Sequence, residues 1–415
     1  MQISWLSISK DSDFSLHNLP FGIFTTTYMA APKACVAIGD YLIDLAGAYD
    51  LGIFSRYRLM ENVFNKPFLN DFISLGHEFS LYVRSVLQEA LLDENSLLKK
   101  YESDLLISQQ DVQMLMPIFI GNYTDFYSCE EHATQVGKLF RPEHPLFPNW
   151  KHLPVAYHGR ASSIVVSGTP IHRPKGQVCR DGTDAPVMMP TQALDYELEL
   201  GFVVGKDSIL GNPISVKQAE DYIFGVVLFN DWSARDIQRW EYQPLGPFTS
   251  KNFASSLSPW VVTMDALQLL RSQSAIQSPE PMAYLNHPER KGFDVNLTVS
   301  IQPMNELEFK ISQTNARYLY WNVSQQVAHH TITGCNLHVG DLLATGTISG
   351  PESTQAGCLL EATAGGKSPL QLSKTISRRF LEDGDEVVIR GYGQKEGIRI
   401  GFGELRGKIL PAIKN

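Results

Sequence analysis

Carboxylates crowd into one short run of this chain, Leu194-Asp195-Tyr196-Glu197-Leu198-Glu199-Leu200-Gly201-Phe202, where apolar and acidic residues alternate. Side chains on a strand alternate faces, so a strand here points Asp195, Glu197 and Glu199 one way and Leu194, Tyr196, Leu198, Leu200 and Phe202 the other. Adjacent ionised carboxylates repel, and the repulsion is relieved by raised pKa values, by cationic partners or by a bound cation. A second apolar run, Phe224-Gly225-Val226-Val227-Leu228-Phe229, ends at Asn230-Asp231 and brings another carboxylate to a strand end, where loops carry chemistry. Oxygen acids converging in this way suit a hard divalent cation. A solvated sheet face is the plainer account of one Glu-x-Glu pair, but it leaves each neighbour below to be explained separately.

Asp125 precedes Phe126-Tyr127-Ser128, and Ser128 with Glu131 matches the S-x-x-E capping box, which predicts a helix start. His132 then falls in the first turns, near the positive end of the helix dipole. That position disfavours the imidazolium and leaves the neutral ring a general base requires. A capping or surface histidine is the alternative. Another helix is predicted from Asp231-Trp232-Ser233, with Arg235, Gln238 and Tyr242 on one stripe at spacings of three and four. A guanidinium, an amide and a phenol form a donor array for anionic oxygens, against which stands an ordinary solvated helix face. Lys251, a short loop further on, is more simply a charge balance for the carboxylates than a catalyst. Glycines flank Thr347 in Gly346-Thr347-Ile348-Ser349-Gly350 and allow close approach of a ligand.

Other chemistries find less support. Ser162 and Ser163 lie in no G-x-S-x-G elbow, His329-His330 lacks the H-E-x-x-H pattern, and the glycine-flanked loop lacks the Lys of a phosphate-binding loop. The formal charge of -9 and the missing basic stripe argue against nucleic acid as main partner. The start Met1-Gln2-Ile3-Ser4-Trp5-Leu6-Ser7 has no basic segment or apolar core, and no apolar run approaches the roughly 20 residues that span a bilayer. The expectation is a cytoplasmic protein without membrane contact. Five scattered cysteines, Cys35, Cys129, Cys179, Cys335 and Cys358, form no C-x-x-C and fit plain thiols in a reducing compartment.

At 415 residues the chain exceeds what one core usually holds, so two domains are expected. Short strands fill the first sixty or so positions, including a hairpin from Ala34 to Leu45 turning at Gly39-Asp40. Helical spacing follows, through Phe72-Ile73, Leu75, Phe79, Val83, Val86-Leu87 and Leu91-Leu92 to about residue 105. Composition changes at Met116-Pro117, placing a boundary near 118, with units 1–118 and 119–415. The second unit reads as strand-dominated, with helices near 128–139, 216–222, 232–242 and 315–331 and late hairpin signals at Glu382-Asp383-Gly384-Asp385 and Gly391-Tyr392-Gly393.

Taken in order, Asp125-Phe126-Tyr127, His132-Ala133-Thr134, Pro148-Asn149-Trp150, Tyr157-His158-Gly159-Arg160-Ala161-Ser162-Ser163, Glu197-Leu198-Glu199, Asn230-Asp231-Trp232-Ser233-Ala234-Arg235-Asp236 and Gly346-Thr347-Ile348-Ser349-Gly350 resemble the fumarylacetoacetase family. The likeness is densest from 121 to 261, resumes from 329 and is looser at Asn18-Leu19-Pro20-Phe21-Gly22 and Val36-Ala37-Ile38-Gly39-Asp40. It implies a mainly β protein with some helix, a small SH3-like N-terminal barrel plus a C-terminal mixed β-sandwich roll, working as a homodimer. The implied reaction is metal-dependent hydrolysis of the carbon–carbon bond of 4-fumarylacetoacetate, the last step of tyrosine and phenylalanine breakdown.

By the same resemblance, Asp125, Glu197, Glu199 and Asp231 hold Mg²⁺ or Ca²⁺, and His132 is the base, oriented by Glu361. Arg235, Gln238 and Lys251 meet developing negative charge, while Tyr127, Arg141, Tyr157, Tyr242 and Thr347 hold the diketo acid. A second, structural cation sits in the family on a loop corresponding to Lys251, Ala254 and Ser255, where this chain has Ala254 and Ser255 for the family's Gly and Thr. A sister enzyme, such as an acylpyruvate hydrolase or oxaloacetate decarboxylase, is the nearest alternative, though such relatives commonly lack the long N-terminal unit. A calcium-stabilised binding protein is a further one, and it gives His132, Glu361 and the Arg235 stripe no role.

Overall fold

The computed structural model describes residues 4–414 apart from 58, 180, 181, 184, 288 and 290. Near the N-terminus, short β-branched and aromatic runs curl into a half-barrel sheet. Its spatial order is Leu106–Ser108, Tyr41–Asp44, Lys33–Ile38, Phe21–Thr26 and Val112–Leu115. The expected hairpin forms, and Gly39 takes a φ of 56° in its turn, a conformation open to glycine without a Cβ penalty. The predicted helical stretch becomes a main helix, His77–Leu92, flanked by the short helices Asn70–Ile73, Leu97–Lys100 and Glu102–Leu105. Phe79, Val83, Leu87 and Leu91 form its buried stripe and join Phe21, Ile23 and Val36 of the sheet in one apolar cluster.

Two larger sheets build the rest. The central one runs Ala156–Gly159, Tyr123–Phe126, Leu342–Ala344, Leu198–Val204, Ile223–Asp231, Ser255–Leu257 and Ile164–Val166. The other runs Phe309–Asn315, Asn296–Gln302, Glu386–Lys395, Ile398–Leu410 and Ile171–His172. Leu198–Val204 and Ile223–Asp231 are buried along their whole length, because apolar layers cover both faces. Leu200, Phe202 and Leu228 cluster with Leu297, Val299 and Ile389 of the second sheet. Val203, Val227 and Phe229, of opposite parity, cluster with Phe21, Phe72 and Phe79.

Several expectations need correcting. The acidic run is two strands, Leu194–Asp195 and Leu198–Val204, because Asp195 pairs with Ser233 while Leu198 pairs with Asn230. The alternation nonetheless holds: Leu194, Tyr196, Leu198, Leu200 and Phe202 all lie in one apolar cluster. The helix expected from Ser128 begins at Glu130 with Cys129 as N-cap, and the Ser128 hydroxyl instead accepts from Gln326 Nε2 at 2.8 Å. Sheet pairing also delays the helix expected from Asp231, which starts at Arg235. The 216–222 stretch forms only a short 3-10 turn, Ala219–Tyr222, and the 315–331 helix divides into Ala316–Tyr318 and Val323–Thr331.

Neither late hairpin signal marks a hairpin. Glu382–Asp385 leads into the strand Glu386–Lys395, and the Arg378 guanidinium donates twice to Asp385. Gly391 and Gly393 lie inside that strand, where a Cβ would stand 2.8 Å from Leu228 Cδ2 and 2.3 Å from Leu270 Cδ1 respectively. Glycine here permits close packing. The turn falls at Glu396-Gly397, both with positive φ.

Gly407 makes a similar approach to Trp232, the neighbour of Asp231: an added Cβ would lie 2.4 Å from Trp232 Cζ2, on a fully buried ring. Gly407→Ala should therefore destabilise the fold by about 1–3 kcal/mol through overpacking. Denaturant unfolding checks this, and an unchanged midpoint would show that the ring can move.

Candidate active site

Neighbouring strands carry the acids to one place. Asp125 lies near the end of Tyr123–Phe126, Asp231 closes Ile223–Asp231, and Glu197-Leu198-Glu199 opens Leu198–Val204. Strand parity puts Glu199 with Val203, Asp231 with Phe229 and Asp125 with Tyr123, on the face that meets the N-terminal cluster. One oxygen from each of Asp125, Glu197, Glu199 and Asp231 lies within 4.8 Å of the others, and all four side chains are buried.

The cluster is only partly neutralised by the protein. Lys251 Nζ donates to Glu197 Oε2 and lies 2.6 Å from Asp231 Oδ2, while Arg235 Nη1 lies 2.7 Å from Glu197 Oε1. Burial works to raise the Glu197 pKa, but the Lys251 and Arg235 charges outweigh it and hold the group well below the usual carboxylate range. Tyr157 and Ser255 donate their hydroxyls to Asp231 at 3.0 and 2.7 Å, and burial, then the Asp231 charge, pushes the Tyr157 phenol up. Glu199 Oε2 accepts from the Gly346 amide at 3.0 Å.

Among the described residues no cation forms an ion pair with Asp125 or Glu199, and the Lys251 charge only partly offsets the forces that raise them. Burial pushes both well above the usual range, reinforced by the Asp231 charge at Asp125 and the Asp125 charge at Glu199. Asp125 Oδ1 and Glu199 Oε1 are buried and have no donor among the described residues other than a proton the two acids share between them. Orphaned hard oxygens in an acid-rich centre fit a divalent cation with carboxylate ligands.

A dyad stands beside the acids. His132, in the first turn of the helix Glu130–Phe140, places Nδ1 2.6 Å from Glu361 Oε1. Glu361 belongs to the turn Leu359–Ala362 and also accepts from Ser349 Oγ at 2.7 Å and Cys358 Sγ at 3.3 Å. Burial acts to raise Glu361, but the His132 charge and these donors keep it below its ordinary value. With Nδ1 bonded to a carboxylate, the neutral ring keeps Nε2 as its free acceptor. Tyr127 packs edge-on against the imidazole, ring centroids 5.3 Å apart, and burial raises its phenol pKa.

Arg235 links these parts, with Nε on Asp195 at 2.9 Å and Nη1 on Gln238 Oε1 at 3.1 Å. Thr347 is buried and its hydroxyl has no partner. Ala254 is buried beside Ser255, whose hydroxyl is committed to Asp231. Two expected residues stand apart: Arg141 donates to Pro145 O and covers the Phe147 ring, and the Tyr242 hydroxyl accepts from Gln243. Among the described residues no hydrogen bond joins either to the acids. The sequence reading missed three participants, Asp195, Ser349 and Cys358. Asp195 stood in the acidic run and Ser349 in the glycine-flanked loop, so both had a signal; Cys358 had none.

Together the fold and the site define a β-roll enzyme with a buried acid cluster able to hold a metal ion and a His–Glu dyad beside it. Residues 17–117 match the family described as Fumarylacetoacetase N-terminal, and residues 122–410 match Fumarylacetoacetate (FAA) hydrolase C-terminal. The chain is 48% identical over 420 residues to a protein named fumarylacetoacetase from Dictyostelium discoideum, covering 99% of this chain and 98% of that one. It is 47% identical over 419 residues to the fumarylacetoacetase of Homo sapiens, covering 99% of each. A solved fumarylacetoacetate hydrolase from Exiguobacterium antarcticum shares the fold, with a TM-score of 0.55 at 18% identity, covering 95% of this chain and 99% of that one. The chain belongs to the fumarylacetoacetase family.

A cation bound to the native cluster stabilises by mass action, by about 2.7 kcal/mol at a hundred times its Kd. Millimolar Mg²⁺ or Ca²⁺ should accordingly raise the thermal midpoint after chelator treatment, and Glu199→Gln should remove most of that rise. A rise of equal size in the variant would locate the ion elsewhere.

Proposed function

We propose that this chain hydrolyses the carbon–carbon bond of 4-fumarylacetoacetate, giving fumarate and acetoacetate as the last step of tyrosine and phenylalanine breakdown. The observation that carries this reading is the His132–Glu361 dyad set beside a four-carboxylate cluster in a chain with full-length likeness to fumarylacetoacetases. Mg²⁺ or Ca²⁺ on Asp125, Glu197, Glu199 and Asp231 would supply Lewis-acid polarisation of the substrate's 1,3-dioxo oxygens.

The protein's own groups account for the proton and the charge. His132 takes a proton from water at Nε2 while Glu361 fixes the ring through Nδ1 and stabilises the imidazolium. Water oxygen adds to the carbonyl carbon of the fumaroyl group, the bond from it to the methylene between the two ketones breaks, and its electron pair leaves as the acetoacetate enolate on that methylene carbon. His132 then returns the proton to that carbon. Arg235, held by Asp195 and Gln238, and Lys251 oppose the negative charge as it develops, each such donor contributing about 2–4 kcal/mol to barrier lowering. Tyr127, Tyr157 and Thr347 border the centre as substrate contacts, and Arg141 and Tyr242 belong to the same proposal at a greater remove.

The reading extends to two units, 1–118 and 119–415, and to a cytoplasmic homodimer acting on a small diketo acid. The bonds of Lys251 to Glu197 and Asp231 and of Ser255 to Asp231 support a role for these two in holding the acids, and a second cation on Lys251, Ala254 and Ser255 is an expectation from the resemblance alone.

His132→Ala should lower kcat by at least about 10²–10⁴-fold, the scale of general acid–base catalysis, while the metal-dependent rise in melting temperature persists. The loss of fumarylacetoacetate absorbance, with fumarate and acetoacetate assayed as products, measures this. Near-normal turnover in the variant would remove His132 from the role of base.

A further inference from the structure

Asp195 belongs neither to the acid cluster nor to the dyad, yet it is fully buried and bonded to groups that serve each. Its oxygens meet only donors. Oδ1 accepts from the Tyr196 amide at 2.9 Å and the Leu359 amide at 2.7 Å, while Oδ2 accepts from Arg235 Nε at 2.9 Å and the Leu360 amide at 2.9 Å. Arg235 is the guanidinium that reaches Glu197. Leu359 and Leu360 begin the four-residue helical turn that presents Glu361 to His132.

A turn of four residues is too short to be stable alone. Its first amides need acceptors, and the side chain of its N-cap, Cys358, accepts from none of them. Asp195 meets that need from a strand more than 160 positions away in sequence. The same carboxylate fixes the plane of the Arg235 guanidinium through Nε.

We infer that Asp195 is a positioning residue that locks Arg235 and Glu361 into one geometry. The donor that meets developing charge and the carboxylate that orients the base are thus set by a single side chain. The catalytic meaning of this lock rests on the proposed hydrolysis; the lock itself does not.

Asp195→Asn keeps the shape but turns an amide NH₂ toward donors. It should lower kcat by about 10- to 100-fold, the range expected for charged hydrogen bonds, with KM changed by less than about threefold. Asp236→Asn is the comparator. Asp236, the second residue of the helix that Arg235 opens, accepts from Thr191, the Gln192 amide and the Ile237 amide, and among the described residues its carboxylate bonds neither the Arg235 guanidinium nor the Glu361 turn. It should lose stability while keeping kcat.

Two readouts go beyond stability. Combined with Arg235→Lys or Glu361→Gln, Asp195→Asn should cost less than the product of the separate losses, because each pair acts through shared contacts. In proton NMR, the downfield signal of the His132 Nδ1 proton, assigned by its absence in His132→Ala, should move in Asp195→Asn and stay in Asp236→Asn. A folded Asp195→Asn with wild-type kcat, or strictly multiplicative losses in both cycles, would overturn the inference. Should the wild type leave fumarylacetoacetate intact, the proposed reaction fails and the NMR signal decides for Asp195: movement supports the lock, and no movement overturns it.

Discussion

Four carboxylates in a dry centre are the constraint on which this structure turns. Two unit charges about 4 Å apart repel by about 4 kcal/mol even at an effective dielectric near 20. The protein answers unevenly. Lys251 and Arg235 both address Glu197, and Lys251, Tyr157 and Ser255 address Asp231. Asp125 and Glu199 keep one orphaned oxygen each, and burial first, then the neighbouring carboxylates, raises both pKa values and so disfavours their ionised forms without a further cation. The site is thus divided between acids held by internal cations and acids left for an external one.

Such a division needs rigid backbone, and the central sheet supplies it. Register sets Leu198 opposite Asn230 and Asp125 opposite Ala344, so ladder hydrogen bonds place Glu199 beside the strand of Asp231 and Asp125 across Leu342–Ala344 from it, with Glu197 at the break before Leu198. Apolar layers on both faces keep water out, which raises the cost of the cluster and also strengthens every interaction within it. The N-terminal layer is part of this arrangement. Phe21 and Val261 exchange backbone hydrogen bonds, and Val262–Thr263 just beyond pairs with Ile223–Asp231, so the half-barrel is fastened to the sheet in which Asp125 lies one strand in from the edge.

What could be read from the sequence followed from local periodicity. Alternation in Leu194–Phe202 identified the apolar face, and the end of the Phe224–Phe229 run located Asp231 at a strand terminus. Position along the chain said nothing of which strands become neighbours, so Asp125 was singled out beside His132 but joined to the other acids only through the resemblance, and Glu361 entered through it alone. Local signals failed where tertiary pairing overrode them. The Asp231-Trp232-Ser233 start gave way to strand pairing between Ser233 and Asp195, and the Ser128 capping signal gave way to a bond from Gln326. Gly391 and Gly393 look like turn residues until Leu228 and Leu270 occupy the space a Cβ would need.

The two halves of the dyad show how differently a fold can position side chains. His132 rides on an eleven-residue helix whose own hydrogen bonds fix its direction. Glu361 sits on a turn with almost no intrinsic stability, and its carboxylate is aimed by His132, Ser349 and Cys358 from outside that turn. Each of those contacts crosses a long sequence separation or closes within a bend, so the geometry of the dyad exists only once the sheets have packed. Completion of the core and assembly of the dyad are therefore one event, and the orientation of the imidazole carries information about the whole tertiary structure.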